Sequence, residues 1–173
     1  KRTINGTTER HVEYFENPTI PARQELCFYV DGGLRYNAYE ANTGGTLTLS
    51  AVTGVGITVT ASIGVFVAGD VGQRIRAIDV LTGTVLGELT VTGYTSTTIV
   101  VGTVTKDFDS TTYAANAWGL SVNDLSGLGH LEAKTVKLLV DGGTNDDLTV
   151  ASGAISLAEG DDGFIIAVGL GYT

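Results

Sequence analysis

The chain has no methionine, one cysteine and two prolines among its 173 residues. A single thiol, Cys27, excludes an internal disulfide and any metal site built from several cysteines. It sits in the apolar run Leu26-Cys27-Phe28-Tyr29-Val30, the setting of a small buried hydrophobe rather than a nucleophile. The two histidines, His11 and His130, form no short-range ligand pair. Basic residues are scarce: ten against nineteen acids, a net charge of -9, and no cluster longer than Lys1-Arg2. Such a chain offers no basic face to neutralise phosphates, so specific nucleic-acid binding is not expected. No apolar run approaches the ~20 residues that cross a bilayer, and no membrane anchor is expected. Without an initiator Met, and with first residues already patterned as strand and turn, the chain is expected to be a piece of something longer.

Glycine is plentiful, with 24 residues, about twice its usual share. Its irregular spacing excludes a collagen triple helix, and with so little proline it points to many turns between strands. A hydrophobic fraction of 43% is enough to bury a core. Between residues 46 and 105 the charged residues are only Asp70, Arg74, Arg76, Asp79 and Glu88. There Thr46-Leu47-Thr48-Leu49-Ser50, Ile57-Thr58-Val59-Thr60-Ala61 and Arg74 to Val80 alternate polar and apolar, the period of half-buried strands. Turn signals at Thr53-Gly54, Thr82-Gly83, Thr92-Gly93 and Thr95-Ser96 separate short strands, and Ala68 to Gln73 reads as one helical turn.

The flanks echo one another. Cys27 to Val30 and Lys137 to Val140 are strand-like runs that each end in Asp-Gly-Gly, a pair suited to the positive φ of tight hairpins. Further strands are expected from Thr149 to Leu157 and from Phe164 to Val168. The expected fold is all-β: a split antiparallel β-domain of residues 1–43 and 107–173, with a small β-sandwich or barrel inserted at 44–106. Helix is confined to short stretches, the best candidates being Val122 to Leu125 and Tyr113 to Ala117.

Candidate chemistry is thin. Asp141 to Asp147 clusters carboxylates and amide oxygens that suit Ca²⁺, yet it lacks the bidentate Glu and the strict alternation of an EF-hand loop. Asp and Asn also form ordinary turns, so a hairpin loop is favoured there and at Asp161-Asp162, with no metal expected. His130 and Glu132, two residues apart on a strand, would share a face and could exchange a proton; without a nucleophile or third ligand, a structural hydrogen bond is the better reading. Trp118 is read as a core or junction anchor rather than a stacking platform. No cofactor is implied and no enzyme is expected.

Residues Gly127, Leu128, His130, Leu131, Glu132, Thr135, Val136, Asp141 and Gly142 lie in one segment from 127 to 142. With Val150 to Leu157 and the closing Val168-Gly169-Leu170-Gly171-Tyr172-Thr173, this segment resembles the tail tubular (nozzle) proteins of tailed phages. Their pattern is GL-x-HLEG-x-TV followed by DG, a V-x-x-G-x-I-x-L strand and VGL-x-Y. Residues 1–31 look like the segment that precedes it there, and Phe66 to Arg76 with Gly93 to Thr98 is similar to a small β-barrel insertion of such proteins. One departure is Ala133, where the family tends to have Gly. The resemblance implies a virion structural protein, a homo-oligomeric ring with six subunits as the expected number, that meets other tail proteins, with DNA only as passing cargo. An acidic lumen, to which Asp146, Asp147, Asp161 and Asp162 would contribute, would repel DNA phosphates. The alternative is a surface-exposed adhesin or carbohydrate-recognition module in which Tyr94, Tyr113 and Trp118 form a sugar platform.

Overall fold

The computed structural model describes residues 2–4, 7–9, 31–41, 44–158 and 160–171. His11, Cys27 and the run around it lie outside these. Strands take 53% of the described residues against one short helix, in antiparallel sheets, as the alternating pattern implies. The first flank supplies an antiparallel pair, β1 (Arg2–Ile4) and β2 (Thr7–Glu9), then β3 (Asp31–Asn37) and the helix α1 (Ala38–Ala41). Asn37 starts that helix, its Oδ1 accepting the Tyr39 N–H at 3.1 Å.

The chain divides into two compact units, Asn37–Val122 and the flanks Lys1–Tyr36 with Asn123–Thr173. The inserted unit is therefore wider than 44–106. Its strands are β4 (Leu47–Leu49), β5 (Ile57–Ala61), β6 (Arg74–Ile78), β7 (Val85–Ser96), β8 (Ile99–Lys106), β9 (Thr112–Tyr113) and β10 (Trp118–Leu120). The return of charge at Lys106-Asp107 marks a loop, not a boundary, because β9 and β10 beyond it complete the sheet.

That sheet has the order β10-β6-β7-β8-β5-β4-β9. β9 runs antiparallel to β4 and β10 antiparallel to β6, so residues 112–120, two short strands linked by a turn, connect the two ends of the sheet. The result is nearly a closed barrel. Alternation puts Leu47, Leu49, Ile57, Val59, Ala61, Ile75 and Leu89 inside. Trp118 is fully buried among them, its ring 6.3 Å from that of Phe66, and its indole N–H donates to the Gly45 carbonyl at 2.8 Å. Glycine is needed beside it, since a Cβ at Gly119 would lie 2.6 Å from Ala38 Cβ, where α1 packs on β10.

Several local expectations are corrected here. Thr92-Gly93 is not a turn but a register shift inside β7, a bulge that keeps the strand going. The hairpin expected at Thr95-Ser96 turns at Thr97-Thr98, because Ser96 still pairs with Ile99. Neither helix candidate is helical: Tyr113 ends β9 and Asn116 beyond it has φ 67°, while Val122 to Leu125 runs into β11 (Asp124–Ser126). The helical turn at Ala68–Asp70 is present as a 3-10 turn.

The second flank adds β12 (Thr135–Val140), β13 (Gly143–Thr149), β14 (Ala154–Ser156) and β15 (Ile165–Leu170). β11 pairs with β14, and the larger sheet has the order β13-β12-β15-β3. β15 is an interior strand of that sheet, buried on both faces from Ile165 to Val168, which is why its sequence is a continuous apolar run. The two Asp-Gly-Gly segments diverge. Val140 pairs with Gly143, so Asp141-Gly142 is a two-residue hairpin turn, with φ 48° and 84° as a type I′ turn requires. Asp31-Gly32-Gly33 instead opens β3, the positive φ of Gly32 falling within a strand.

Candidate functional site

The segment from 127 to 142 is a chain of ties between backbone segments. The Leu128 N–H donates to the Gly153 carbonyl at 2.8 Å, and Gly127 takes φ 92° just before it. A 3-10 turn, Gly129–Leu131, follows, with Leu128 and Leu131 both fully buried. His130 Nε2 lies 2.6 Å from the Gly32 carbonyl oxygen. A carbonyl can only accept, so Nε2 carries the proton. Glu132 turns elsewhere: Oε1 accepts the Ser152 N–H at 3.0 Å and Oε2 the Gly153 N–H at 2.7 Å. His130 and Glu132 therefore sit on and just after a 3-10 turn rather than on one face of a strand, and each holds a different stretch of main chain.

Ser152 and Gly153 form the turn between the bridged residues Ala151 and Ala154, with φ 54° and 70°. Glu132 thus clamps a turn whose first residue is in the left-handed region without being glycine. Ala133, next to the clamp, is left-handed too, at φ 59°, and its N–H donates to the Val150 carbonyl at 3.0 Å. Glycine would take this angle without the penalty that the Ala133 Cβ carries. Thr135 and Val136 enter β12 opposite Thr149 and Leu148, Val136 buried and Thr135 exposed.

Asp141 supplies the second clamp. Its Oδ1 accepts both the Phe164 N–H at 2.9 Å and the Ile165 N–H at 2.8 Å, while its own N–H donates to the Ile165 carbonyl. One carboxylate thereby closes a hairpin and docks the start of β15. No family model matches the chain, and no curated protein matches it.

The acidic residues are placed differently from the expected loop. Asp146 and Asp147 lie on β13, not in the turn, and Lys137 Nζ is 2.6 Å from Asp147 Oδ2. Turn-forming residue types here belong to a paired strand because Asp141-Gly142 has already reversed the chain. Asp161 is in the loop expected for it, its N–H donating to the Ala158 carbonyl at 2.9 Å, with Asp162 half-buried beside it. Among the described residues no group of three or more His, Cys, Asp or Glu is arranged to hold a metal ion, and no helix is long and apolar enough to cross a membrane.

The three aromatic residues of the sugar-platform alternative do not meet on a surface. Trp118 is fully buried, Tyr113 is 6% exposed, and Tyr94 is 38% exposed on β7. Tyr113 instead ties a loop: its hydroxyl donates to Asp109 Oδ1 at 2.6 Å and accepts the Ser110 N–H at 3.1 Å. Burial, with help from the Asp109 carboxylate, pushes the phenol up to about 12. The clamping roles of Glu132 and Asp141 carry no local sequence signal, since each carboxylate bonds main-chain N–H groups twenty or more residues further along the chain.

Proposed function

We propose that this chain is a non-catalytic structural module of a tailed-phage virion, a piece of a tail tubular (nozzle) protein that assembles into a ring around the DNA exit conduit. The observation that carries the reading is how the segment from 127 to 142 spends its polar groups. His130, Glu132 and Asp141 all hold main-chain groups of other segments, and Gly142 makes a turn. Side chains committed in this way suit a part that works by shape and assembly, as the resembling family does. The net charge of -9 supports the conduit half of the reading, because an acidic lining repels phosphates and lets DNA pass without sticking. Further copies of the chain and other tail proteins are the partners on this reading, and DNA is cargo. The scattered positions of Tyr94, Tyr113 and Trp118 give a carbohydrate-binding module less support.

Electron microscopy of the purified chain over a range of concentrations, and of particles that contain it, tests the reading. Closed rings with an axial channel are expected. A chain that stays monomeric throughout, is missing from tails and binds a glycan array would replace this reading with the surface-exposed binding module.

A further inference from the structure

Among the described residues β13 stands at the outer end of its sheet, and five of its seven residues, Gly143, Thr144, Asp146, Asp147 and Thr149, are exposed. An exposed edge strand offers a row of backbone donors and acceptors to any extended chain that meets it. Three features of β13 oppose that pairing. The ladder with β12 slips, since Val136 pairs with Leu148 but Leu138 with Asn145. Asp146 and Asp147 together therefore oppose Lys137, a β-bulge that bends and twists the edge. The Asp146 N–H, at the bulge itself, is already taken by Asn145 Oδ1 at 2.7 Å. Lys137 Nζ holds Asp147 Oδ2 at 2.6 Å, which fixes one carboxylate beside the irregular stretch.

We propose that the bulge at Asp146-Asp147 is a guard that keeps the edge of β13 from pairing with the same strand of a second copy of this chain. Asp146 is the central residue of Gly143–Thr149, so an antiparallel pairing of two β13 strands about a two-fold axis brings the two Asp146 carboxylates together at its middle, beside Asp147 carboxylates that Lys137 already pairs. Like charges facing each other across strands oppose pairing, and the twist of each bulge breaks the ladder at the same point. The guard leaves the contacts of any ordered assembly to other surfaces. It does not depend on the tail reading, since it concerns every solution in which copies of the chain meet.

The test uses the full chain with two variants. Asp146→Thr with Asp147→Thr keeps the bulge and removes its charge; deletion of Asp146 with Asp147→Thr removes both. Sedimentation velocity across a wide concentration range is read together with the infrared band of intermolecular β-sheet. Both variants are expected to associate beyond the wild-type state, the deletion more strongly, at a concentration about tenfold lower than the wild type, the scale on which facing like charges act. Adding Thr144→Lys, which returns a charge to the same edge, is expected to reverse the association. Folded variants that keep the wild-type state at every concentration overturn the proposal, as does association that Thr144→Lys leaves unchanged. Where the deletion does not fold, the double substitution and its Thr144→Lys derivative decide the matter alone.

Discussion

Where the backbone of the inserted barrel turns left-handed it uses glycine at Gly44, Gly54, Gly56, Gly72 and Gly83, with Asn116 the exception among its described residues. In the second flank three non-glycine residues do the same within twenty positions: Ala133, Asp141 and Ser152, at φ 59°, 48° and 54°. Each such residue costs roughly 1–2 kcal/mol relative to a right-handed one. The flank offsets that cost with carboxylates, Glu132 across the Ser152 turn and Asp141 in its own. The barrel's counterpart, Asp79 accepting the Leu81 and Thr82 N–H groups on one oxygen, serves a turn whose left-handed residue is glycine, Gly83, so no side-chain strain is offset there; the barrel depends on a sheet wrapped round an apolar interior that includes Trp118. One unit is therefore most sensitive to lost volume and the other to lost acceptors.

The largest effect is expected from Trp118→Ala. Emptying the space of a fully buried indole, and orphaning the Gly45 carbonyl it bonds, costs about 3–5 kcal/mol. Amide hydrogen exchange read segment by segment should lose protection from β4 to β10 while β12 and β15 keep theirs. Equal loss in both units would break the comparison, since it would mean that the barrel and the flank unfold as one.

A smaller effect separates the two clamps. Glu132 uses one oxygen for each N–H, so Glu132→Gln must turn an amide NH₂ toward a donor and lose that bond, at about 2 kcal/mol. Asp141 takes both N–H groups on Oδ1 alone, and Asp141→Asn retains that oxygen as well as a residue type tolerant of positive φ. For these two bonds the loss is the added strength of a charged acceptor, about 1 kcal/mol or less. Urea denaturation of the two variants should therefore rank Glu132→Gln as the less stable. The reverse order, or two equal losses, would mean that the carboxylates act through their charge rather than through the placement of single oxygens.

The same contrast decides what could be read from the sequence. Ile57-Thr58-Val59-Thr60-Ala61 is buried on one face only, so its alternation is visible in the residues themselves and its burial follows them one by one. The Asp141-Gly142 turn was legible for a similarly local reason, since its two positive φ angles belong to two adjacent residues suited to them. β10 was not legible as part of the barrel: three residues carry no period, and what makes Trp118-Gly119-Leu120 a strand is β6, some forty residues earlier. The clamps have the same character. Glu132 reaches residues 152 and 153 and Asp141 reaches 164 and 165, and no local pattern encodes a contact over such separations. Composition misled at Asp146 and Asp147, where turn-forming residue types serve the edge of a strand.

The smallest expected effect runs in the stabilising direction, at Ala133. Its φ of 59° brings its Cβ against the following carbonyl, a contact that glycine does not make. Ala133→Gly relieves that contact but also gives the unfolded chain more freedom to lose, which takes back part of the gain. The net is a stabilisation of about 0.5–1 kcal/mol, seen as a raised midpoint in urea at unchanged slope. Serine at 152 is tied by Glu132 through its N–H, whereas the N–H of Ala133 donates to the Val150 carbonyl with no carboxylate involved. The gain at 133 should therefore persist in a Glu132→Gln background. If it vanishes there, the left-handed turn at 133 exists only to present the carboxylate, and the two positions form a single device.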